Sequence, residues 1–588
     1  MRSMTEAVSD RQPTVIGAAG QLGSAGRAGH AGQVGLAGQA GHIGHADRPA
    51  VTVGDRVTTG GRSGTSLLAR AWSEVRYGPV ERKFLYILFL LFIAKGVLYT
   101  VVFPAFSGHD EVAHYTYIRY VAEEGRVPII PDLDEWQALN AQSQVPGEDR
   151  LPNELYKYCQ YFTADWFRSC DQAQWLRNPP RMVNLGGEFW PSGWVYTANH
   201  PPMYYMMMTP LYWLSSGQSP ESQLYLFRLA AIPFGLVTVL LAFLTTRTLF
   251  PGDRFLAMTV PAFVAFQPQV SYEAAMLNND IVAIALTSWV LYLAVKGLRD
   301  GFPVRTCVLL GFVLGLAVLT KGTSVTAAPI IAFAMFFGLG WRNVRQWLPK
   351  GALVAAITGV MIWPWYLFLW AEYGDFSGLT RVKALQWWNY GSGDAPTVLD
   401  QLLNSGFAWF RWRETWGEFG WRLIPLSDWL LWTIFGVCAF ATAGLIVYAV
   451  RAVRTRRALR AAFGEAVDVD TDAATDDAVV PERTPPVVDV DPVLAPVRWQ
   501  VVGIVMVLVT CLVAYYAILQ FGTQFSLTQA RYYFPAINAF ALLLMLGFRS
   551  WFPRRWHPYV QTAVFVALVA LNLSIFSQFV IPYWNSGL

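Results

Sequence analysis

The chain has 588 residues, of which 54% are hydrophobic, 15% aromatic and only 14% charged, and its mean hydropathy is +0.33. Ordinary soluble domains carry about 25% charged residues. The apolar residues also form long blocks, so the composition argues against a soluble domain and predicts an all-α polytopic membrane protein. The net charge of +4 says little about orientation, and five cysteines exclude a disulfide-dense scaffold.

The N-terminal 65 residues are rich in Gly and Ala and hold almost no large apolar side chains, so we expect a disordered tail. We expect no signal peptide, because no apolar segment follows a basic start. The histidines of this tail lack the fixed spacing and Cys partners of a metal site. Residues 66–83 then form a basic juxtamembrane segment before the first apolar block.

Eleven apolar blocks predict about 11 transmembrane helices, with a range of 10–13 because several are shorter than the roughly 20 residues of a full crossing. The predicted spans are 84–106, 223–246, 255–274, 281–297, 305–320, 324–340, 351–371, 428–450, 499–519, 532–548 and 559–582. Lys and Arg are concentrated in alternate loops, which places the N-terminus in the cytoplasm. The apolar segment 201–215 is too short to cross, and counting it would invert this topology. We therefore predict a juxtamembrane helix there, at the outer interface.

This topology divides the chain into a transmembrane core, 84–450, a basic and then acidic cytoplasmic linker, 451–498, and C-terminal helices within 499–588. Two large loops, 107–222 and 372–427, face outwards. Cys159 and Cys170 lie together in the first of them, where an oxidising compartment favours a disulfide over two free thiols. The second loop is rich in Trp, which suits both sugar rings and interfacial anchoring.

Ionisable and polar residues gather on the predicted outer side. Asp110 and Glu111 follow the first span directly, and they could simply cap the helix expected over 112–124. Taken singly, the other groups also have structural explanations as turns, caps or interfacial anchors; they lie in 199–202, 278–280, 320–322 and 529–535. Together they place a carboxylate pair beside two cations, Lys321 and Arg531, on the side where cations are disfavoured. A base and two cations would suit a reaction between a hydroxyl acceptor and a phosphate-bearing lipid.

Five short motifs lie in order on the predicted outer side: Asp110-Glu111 with His114, His200-Pro201-Pro202-Met203-Tyr204-Tyr205, Leu277-Asn278-Asn279-Asp280, Leu319-Thr320-Lys321-Gly322 and Ala530-Arg531-Tyr532-Tyr533-Phe534-Pro535. This set resembles the GT-C superfamily of integral membrane glycosyltransferases. The similarity is to its bacterial branch, related to protein O-mannosyltransferases and to the aminoarabinose transferase that modifies lipid A. Each motif is weak alone, and the set is more specific for the fold than for the substrate.

The resemblance implies a glycosyltransferase that takes a sugar from a polyprenyl-phosphate donor, with inversion, on the outer face of the cytoplasmic membrane. Asp110 would be the catalytic base, Glu111 would support it or contact the acceptor, and Asp280 would match the family's second acidic residue. Lys321 and Arg531 would bind the donor phosphate, and the expected substrate-binding residues are His114, His200, Asn279 and Tyr532. The acceptor would be a cell-envelope glycan, lipid or protein. A divalent metal is possible, because some members of the superfamily need one and others do not, and no nucleic acid partner is expected.

Two other classes of function remain open from the sequence. A transporter or flippase would place charged groups near the bilayer midplane and show repeated halves. Here the polar groups cluster at one face, and no internal repeat stands out. A non-catalytic membrane scaffold would use the large outer loops only to recruit partners.

Overall fold

Helices form nearly all of the chain that the computed structural model describes, namely residues 79–130, 197–385, 395–463, 490–525 and 528–585. These ranges contain one isolated backbone bridge, Phe419–Ile424, and no β-strand. They all fall within one unit, Ser66–Leu588. The N-terminal tail, the Cys159 and Cys170 pair and most of the acidic linker lie outside the described residues.

The longer helices follow the predicted spans. In chain order the helices are α1 Val80–Val102, α2 Glu111–Glu124, α3 Met203–Leu214, α4 Pro220–Leu249, α5 Arg254–Phe266, α6 Pro268–Glu273, α7 Asp280–Asp300, α8 Val304–Thr320, α9 Ala328–Gly338, α10 Val344–Tyr373, α11 Leu379–Leu385, α12 Val398–Leu403, α13 Ser405–Trp416, α14 Phe419–Arg422, α15 Asp428–Phe463, α16 Arg498–Gly522, α17 Ile537–Ser550, α18 His557–Ile575 and α19 Ile581–Asn585. Short 3₁₀ segments at Gly322–Ala327 and Ala530–Ala536 precede α9 and α17.

Among the described residues, eight helical stretches are long and apolar enough to cross a membrane, and three further apolar stretches are shorter. Every predicted span overlaps one of these eleven stretches, which confirms the all-α polytopic fold and a multi-pass membrane protein. The helix predicted over 112–124 is confirmed as α2, and a helix, α3, forms within the short segment 201–215. The position of α3 at the membrane interface stays a prediction.

The predicted span 255–274 is wrong as one continuous helix. Helix α5 ends at Phe266, and the side chain of Gln267 accepts a hydrogen bond from the Val270 amide to start α6 at Pro268. Proline cannot donate the backbone hydrogen bond that would continue the first helix. A break inside a membrane protein must be satisfied by other groups, as the carbonyls at the end of α5 show: Lys95 Nζ donates to Ala265 at 2.6 Å, and Asn572 Nδ2 donates to Phe266 at 2.7 Å.

Residues that the predicted topology places in the cytoplasm contact one another at the end of α5 away from α6. Arg549 is buried and forms ion pairs with Asp253 at 2.6 Å and with Asp491 at 2.9 Å. The linker residue Asp491 is therefore tied, through Arg549 at the end of α17, to the loop before α5. Helix α15 continues through the basic run to Phe463, well past the predicted span end at residue 450.

Helices α15 and α17 cross closely at Gly444 and Gly547. A Cβ atom added to Gly444 would collide with the backbone of Gly547, so a larger residue forces the helices apart. We expect Gly444→Val to lower the free energy of unfolding by about 1–3 kcal/mol, the usual penalty of overpacking. Gly436→Val on the same helix is the matched control, because an added Cβ there meets nothing within 4 Å. Unfolding of both variants in detergent checks this, and equal stabilities would contradict the close crossing.

Candidate active site

Most of the polar residues singled out from the sequence line one cavity of about 400 Å³. Eight of them line it together: Asp110, His114, His200, Asn279, Asp280, Lys321, Arg531 and Tyr532. They come from five separate loops or helix ends, and 41 to 210 residues separate one of these segments from the next in the sequence. Glu111 is not among the lining residues, and Cys159 and Cys170 lie outside the described residues.

Asp110 occupies the N-cap position of α2, yet its side chain accepts no capping hydrogen bond. Its backbone is left-handed, with φ 59°, a conformation that Asp tolerates better than most residues. The carboxylate instead forms an ion pair with the guanidinium of Arg531. The helix-cap interpretation therefore does not describe this side chain, which is directed to a charged partner in the cavity.

Glu111 is fully buried and bonded to the transmembrane residue Arg228. Its Oε1 accepts from Arg228 Nε at 2.8 Å and from the Leu277 amide at 2.9 Å, and its Oε2 accepts from Arg228 Nη2 at 2.6 Å and from the Gly108 amide at 2.9 Å. Arg228 also donates to carbonyls at the end of α1, including that of Phe103 at 2.7 Å. Each carboxylate oxygen thus accepts two hydrogen bonds, and the donors come from three parts of the chain. This pair fixes the Asp110 loop against α1, α4 and the 277–280 turn.

Asp280 begins α7 and lines the same cavity as Asp110. It forms an ion pair with Lys321, which follows the last residue of α8 in an extended conformation, and its Oδ2 lies 3.6 Å from Arg531 Nε. The Asn278 side chain shapes this turn, because its Oδ1 accepts from the Ile281 amide at 3.0 Å. Asn279 Nδ2 donates to the Thr320 carbonyl at 3.2 Å and so joins the α7 and α8 ends.

Arg531 and Tyr532 enter the cavity from the 3₁₀ segment before α17. The Lys321 ammonium lies 4.7 Å from the centre of the Tyr532 ring, a cation–π distance. The segment is held from behind by α13: Glu414 Oε2 accepts from the Ala530 amide at 3.0 Å, and Glu414 Oε1 accepts from Arg422 Nε at 2.6 Å. Sequence reasoning did not single out Glu414. Its only signal was its place among the Arg and Trp residues of the second outer loop.

His114 and His200 share one tyrosine hydroxyl. The Tyr205 hydroxyl lies 3.0 Å from His114 Nδ1 and 3.3 Å from His200 Nδ1, and the Tyr117 ring stacks on Tyr205 with ring centres 3.6 Å apart. Burial lowers the pKa of His114 to about 3 and that of His200 to about 4. Both imidazoles are therefore neutral near pH 7 and act as hydrogen-bonding groups there.

This environment predicts a loss of stability in mild acid. The folded-state pKa of each histidine lies below its usual value of 6.5, so the unfolded chain binds protons first as the pH falls. The stabilising contribution is present above pH 6.5 and declines as the pH falls towards 4, by about 1 kcal/mol per histidine between pH 7.5 and 5.5. Melting temperatures of the wild type and His200→Gln at these two pH values check this. An equal acid-induced drop in both proteins would contradict it.

The other wall of the cavity is apolar and aromatic. Helix α10 supplies Trp365, Tyr366 and Leu369, and the end of α16 supplies Phe521 with Phe525 just beyond it. The rim is closed by contacts between the loops 107–222 and 372–427. Asn199 Nδ2 donates to the Ser377 carbonyl at 3.0 Å, and Arg381 Nη1 donates to the Ile130 carbonyl at 2.9 Å. The cavity is therefore charged at one end and apolar at the other.

Two findings lay beyond the sequence motifs. Arg228 was missed, although a lone arginine inside a predicted span is a signal for a buried partner. The apolar wall was missed because the sequence of α10 has the pattern of an ordinary transmembrane span, without a polar motif that would point to the cavity. Among the described residues, no group of three or more His, Cys, Asp or Glu side chains is arranged to hold a metal ion.

Comparisons with solved structures give distant similarities. The chain is similar to the Archaeoglobus fulgidus oligosaccharyltransferase in the apo form at 15% identity and a TM-score of 0.42, over 87% of this chain and 56% of that one. It is also similar to ArnT from Cupriavidus metallidurans bound to undecaprenyl phosphate, at 16% identity and a TM-score of 0.32, over 80% of this chain and 73% of that one. The chain thus spans little more than half of the oligosaccharyltransferase.

Comparison with curated protein sequences gives no significant match. Residues 199–366 match the model of the family described as dolichyl-phosphate-mannose-protein mannosyltransferase. This range holds three of the five motifs, those around His200, Asp280 and Lys321, whereas Asp110 and Arg531 lie outside it. The match confirms that this part of the chain is similar to the mannosyltransferases of the GT-C superfamily, the resemblance that the motifs indicated.

Proposed function

We propose that the protein is an integral membrane glycosyltransferase. It moves a sugar from a polyprenyl-phosphate donor to an acceptor hydroxyl of the cell envelope, with inversion, on the outer face of the cytoplasmic membrane. The main support for this proposal is that Asp110, Lys321 and Arg531 line one cavity that also has an apolar wall. The family similarity of residues 199–366 supports the same class of reaction.

In this proposal Asp110 is the general base. It takes the proton of the acceptor hydroxyl, whose oxygen then attacks the anomeric carbon on the face opposite the phosphate. The bond between that carbon and the phosphate oxygen breaks, and its electrons stay with the phosphate. The buried Glu111–Arg228 pair supports the Asp110 loop, so of the two roles left open for Glu111 the geometry favours the supporting one.

Lys321 and Arg531 would hold the phosphate as its charge increases. Each cation keeps N–H groups that its carboxylate partners do not use. Of the three N–H groups on the Lys321 ammonium, one donates to Asp280, and Arg531 Nη1 has no hydrogen-bond partner among the described residues. Charge-assisted hydrogen bonds of this kind stabilise a leaving group in a site that excludes water. The apolar wall formed by α10 and the end of α16 suits the isoprenoid part of the donor.

The contacts also support the proposed sidedness. Residues of the predicted outer loops meet in the cavity, whereas residues of the predicted cytoplasmic loops pair with one another: Arg254 with Glu81 at 3.0 Å, and Arg549 with Asp253. A topology inverted at the segment 201–215 would put Asp110 and Asp280 on opposite sides. Asp110 and Asp280 both lie beside Arg531, which argues against the inverted topology.

Removal of the Lys321 ammonium tests the phosphate site. We expect Lys321→Ala to raise the KM for a polyprenyl-phosphate sugar by about 10–100-fold, the value of one or two hydrogen bonds to a charged group. Steady-state transfer by purified protein in proteoliposomes, at a range of donor concentrations, measures this. Lys350→Ala is the matched control, because its ammonium donates to the Gly301 carbonyl at the other end of α7. An unchanged donor KM in Lys321→Ala would remove Lys321 from the phosphate site.

A further inference from the structure

A second cavity, of about 570 Å³, lies between α15 and the turn that joins α17 to α18, and we call it the basic groove. One side is formed by Arg451 and by residues that follow it on α15, and the other side is formed by residues 549–554. The end of the linker, 490–494, supplies the remaining lining residues. The basic groove shares no lining residue with the candidate active site.

The three parts of the basic groove are fastened to one another. The buried Arg549 pairs with Asp491 at 2.9 Å, and Asp491 Oδ1 accepts from the Val493 amide at 3.1 Å. The Tyr448 hydroxyl, on α15, donates to the Val493 carbonyl at 3.1 Å. The end of the linker is therefore held by both α15 and α17, and the groove is a built feature of the fold.

Positive charge is in excess in the basic groove. Its lining contains three arginines, Arg451, Arg549 and Arg554, and one carboxylate, Asp491. The charge of Asp491 is compensated by Arg549, whereas Arg451 and Arg554 are exposed on the two sides of the groove. Two cations that face one cavity favour an anionic ligand, and the planar guanidinium groups suit a phosphate.

The basic groove also lies at the depth of a lipid headgroup. Helix α15 is apolar enough to cross a membrane, and Trp429 and Trp432 are exposed near its start at Asp428, as is typical of a membrane interface. At about 1.5 Å per residue, Arg451 lies about 35 Å along the axis from Asp428. This distance slightly exceeds the hydrocarbon thickness of about 30 Å, so Arg451 lies where the helix leaves the hydrocarbon.

The lining combines these cations with apolar side chains. The half-buried apolar residues of the groove come from all three of its parts and are Leu459, Leu494 and Phe552. Exposed aromatic side chains, Trp556 and Tyr559, follow at the start of α18 and mark a second interfacial belt. A ligand with a phosphate and an apolar part therefore fits this place better than a soluble anion does.

We propose that the basic groove binds an anionic glycerophospholipid. Arg451 and Arg554 hold its phosphate, and the apolar lining residues contact its glycerol and the first carbons of its acyl chains. The bound lipid joins α15 to the turn between α17 and α18, on the side that the predicted topology assigns to the cytoplasm. The proposal goes beyond the glycosyltransferase assignment and does not rest on it.

The test measures lipid binding by the full chain in detergent, apart from any activity. Delipidated wild-type protein is titrated with phosphatidylglycerol or with the zwitterionic phosphatidylcholine, and native mass spectrometry measures the lipid-bound fraction. Each arginine near a lipid phosphate is expected to change the affinity about 5-fold, so phosphatidylglycerol should bind at least about 10-fold more tightly than phosphatidylcholine. Equal affinities for the two lipids would overturn the proposal.

Single variants show whether the binding belongs to the groove. Arg451→Gln and Arg554→Gln should each raise the Kd for phosphatidylglycerol about 5-fold. Arg457→Gln is the matched control, because Arg457 is exposed on the same helix but lies about 240° further round it than Arg451 and does not line the groove. We expect this control to change the Kd less than about 2-fold. An equal loss of affinity in all three variants would mean that the basic run binds lipid without a defined site, and the proposal would be wrong.

Competition with inorganic phosphate distinguishes a lipid site from a site for a soluble anion. A large excess of phosphate should leave phosphatidylglycerol bound, because the apolar residues of the groove favour only the lipid. Displacement of the lipid by phosphate alone would overturn the lipid assignment. Should a variant fail to fold, the comparison of the two lipids on the wild-type protein still decides the matter.

Discussion

Replacement of Asp110 by Asn is expected to lower the rate of sugar transfer by about 10²–10⁴-fold, the usual contribution of a general base. Asn has nearly the same shape and can still accept a hydrogen bond from Arg531, but it cannot take a proton from the acceptor. The Asp110 carboxylate lines the cavity and makes no helix-capping bond, so the loss of a helix cap does not explain such a fall in rate. The measurement is kcat for transfer from a polyprenyl-phosphate sugar in proteoliposomes.

A matched control lies on helix α7, which has an aspartate at each end. Asp300 is partly exposed and pairs with its neighbour Arg299 at 2.7 Å, far from the cavity at the Asp280 end. Asp300→Asn should leave the transfer rate unchanged. Full activity in Asp110→Asn, in a protein that melts like the wild type, would remove Asp110 from the mechanism.

The Glu111–Arg228 pair is expected to dominate the stability of the site. Both side chains are fully buried, so Arg228→Met leaves an uncompensated charge on Glu111 and should lower the free energy of unfolding by about 3–5 kcal/mol. Glu111→Gln should also destabilise, because its amide nitrogen cannot accept from the Arg228, Leu277 or Gly108 donors. Denaturation by SDS of detergent-solubilised protein measures both effects.

A double variant separates the pair from its surroundings. Arg228→Met with Glu111→Gln removes both charges, and we expect part of the lost stability to return. The recovery should be incomplete, because the carbonyls of Phe103 and Pro104 lose the donors that Arg228 provides. If Glu111 contacted the acceptor instead, Glu111→Gln would lower kcat with little change in stability, and the supporting role would be wrong.

The sequence predicted the positions of the helices because long apolar blocks are a strong local signal. It also predicted which polar residues share a side, because the ends of successive spans alternate between the two faces of a membrane. Lys321 and Asp280 could be grouped in this way, although 41 residues separate them. Their ion pair, however, depends on the packing of α7 against α8, which the motifs do not specify.

Other features depended on contacts that no local pattern reveals. In the sequence, Glu111 cannot be distinguished from its neighbour Asp110. Only the contact with Arg228, 117 residues away, shows that Glu111 is a buried structural carboxylate, whereas Asp110 lines the cavity. The break between α5 and α6 was missed although Gln267, Pro268 and Gln269 interrupt the apolar residues of 255–274. Lys95 compensates the break from another helix, a contact that no local pattern shows. Glu414 contacts the Arg531 segment at the Ala530 amide, 116 residues away in the sequence.

The most direct test of the central proposal follows a radiolabelled sugar in proteoliposomes that contain the purified wild-type protein, a polyprenyl-phosphate-linked sugar and a cell-envelope extract as acceptor. We predict that the label moves to an acceptor with the opposite anomeric configuration, that free polyprenyl phosphate is released, and that Asp110→Asn abolishes both. Label that crosses the bilayer while still attached to its lipid would instead indicate a flippase. The glycosyltransferase assignment would be contradicted if the label remained on the donor in the presence of folded protein, both in metal-free buffer and in buffer that contains Mn²⁺.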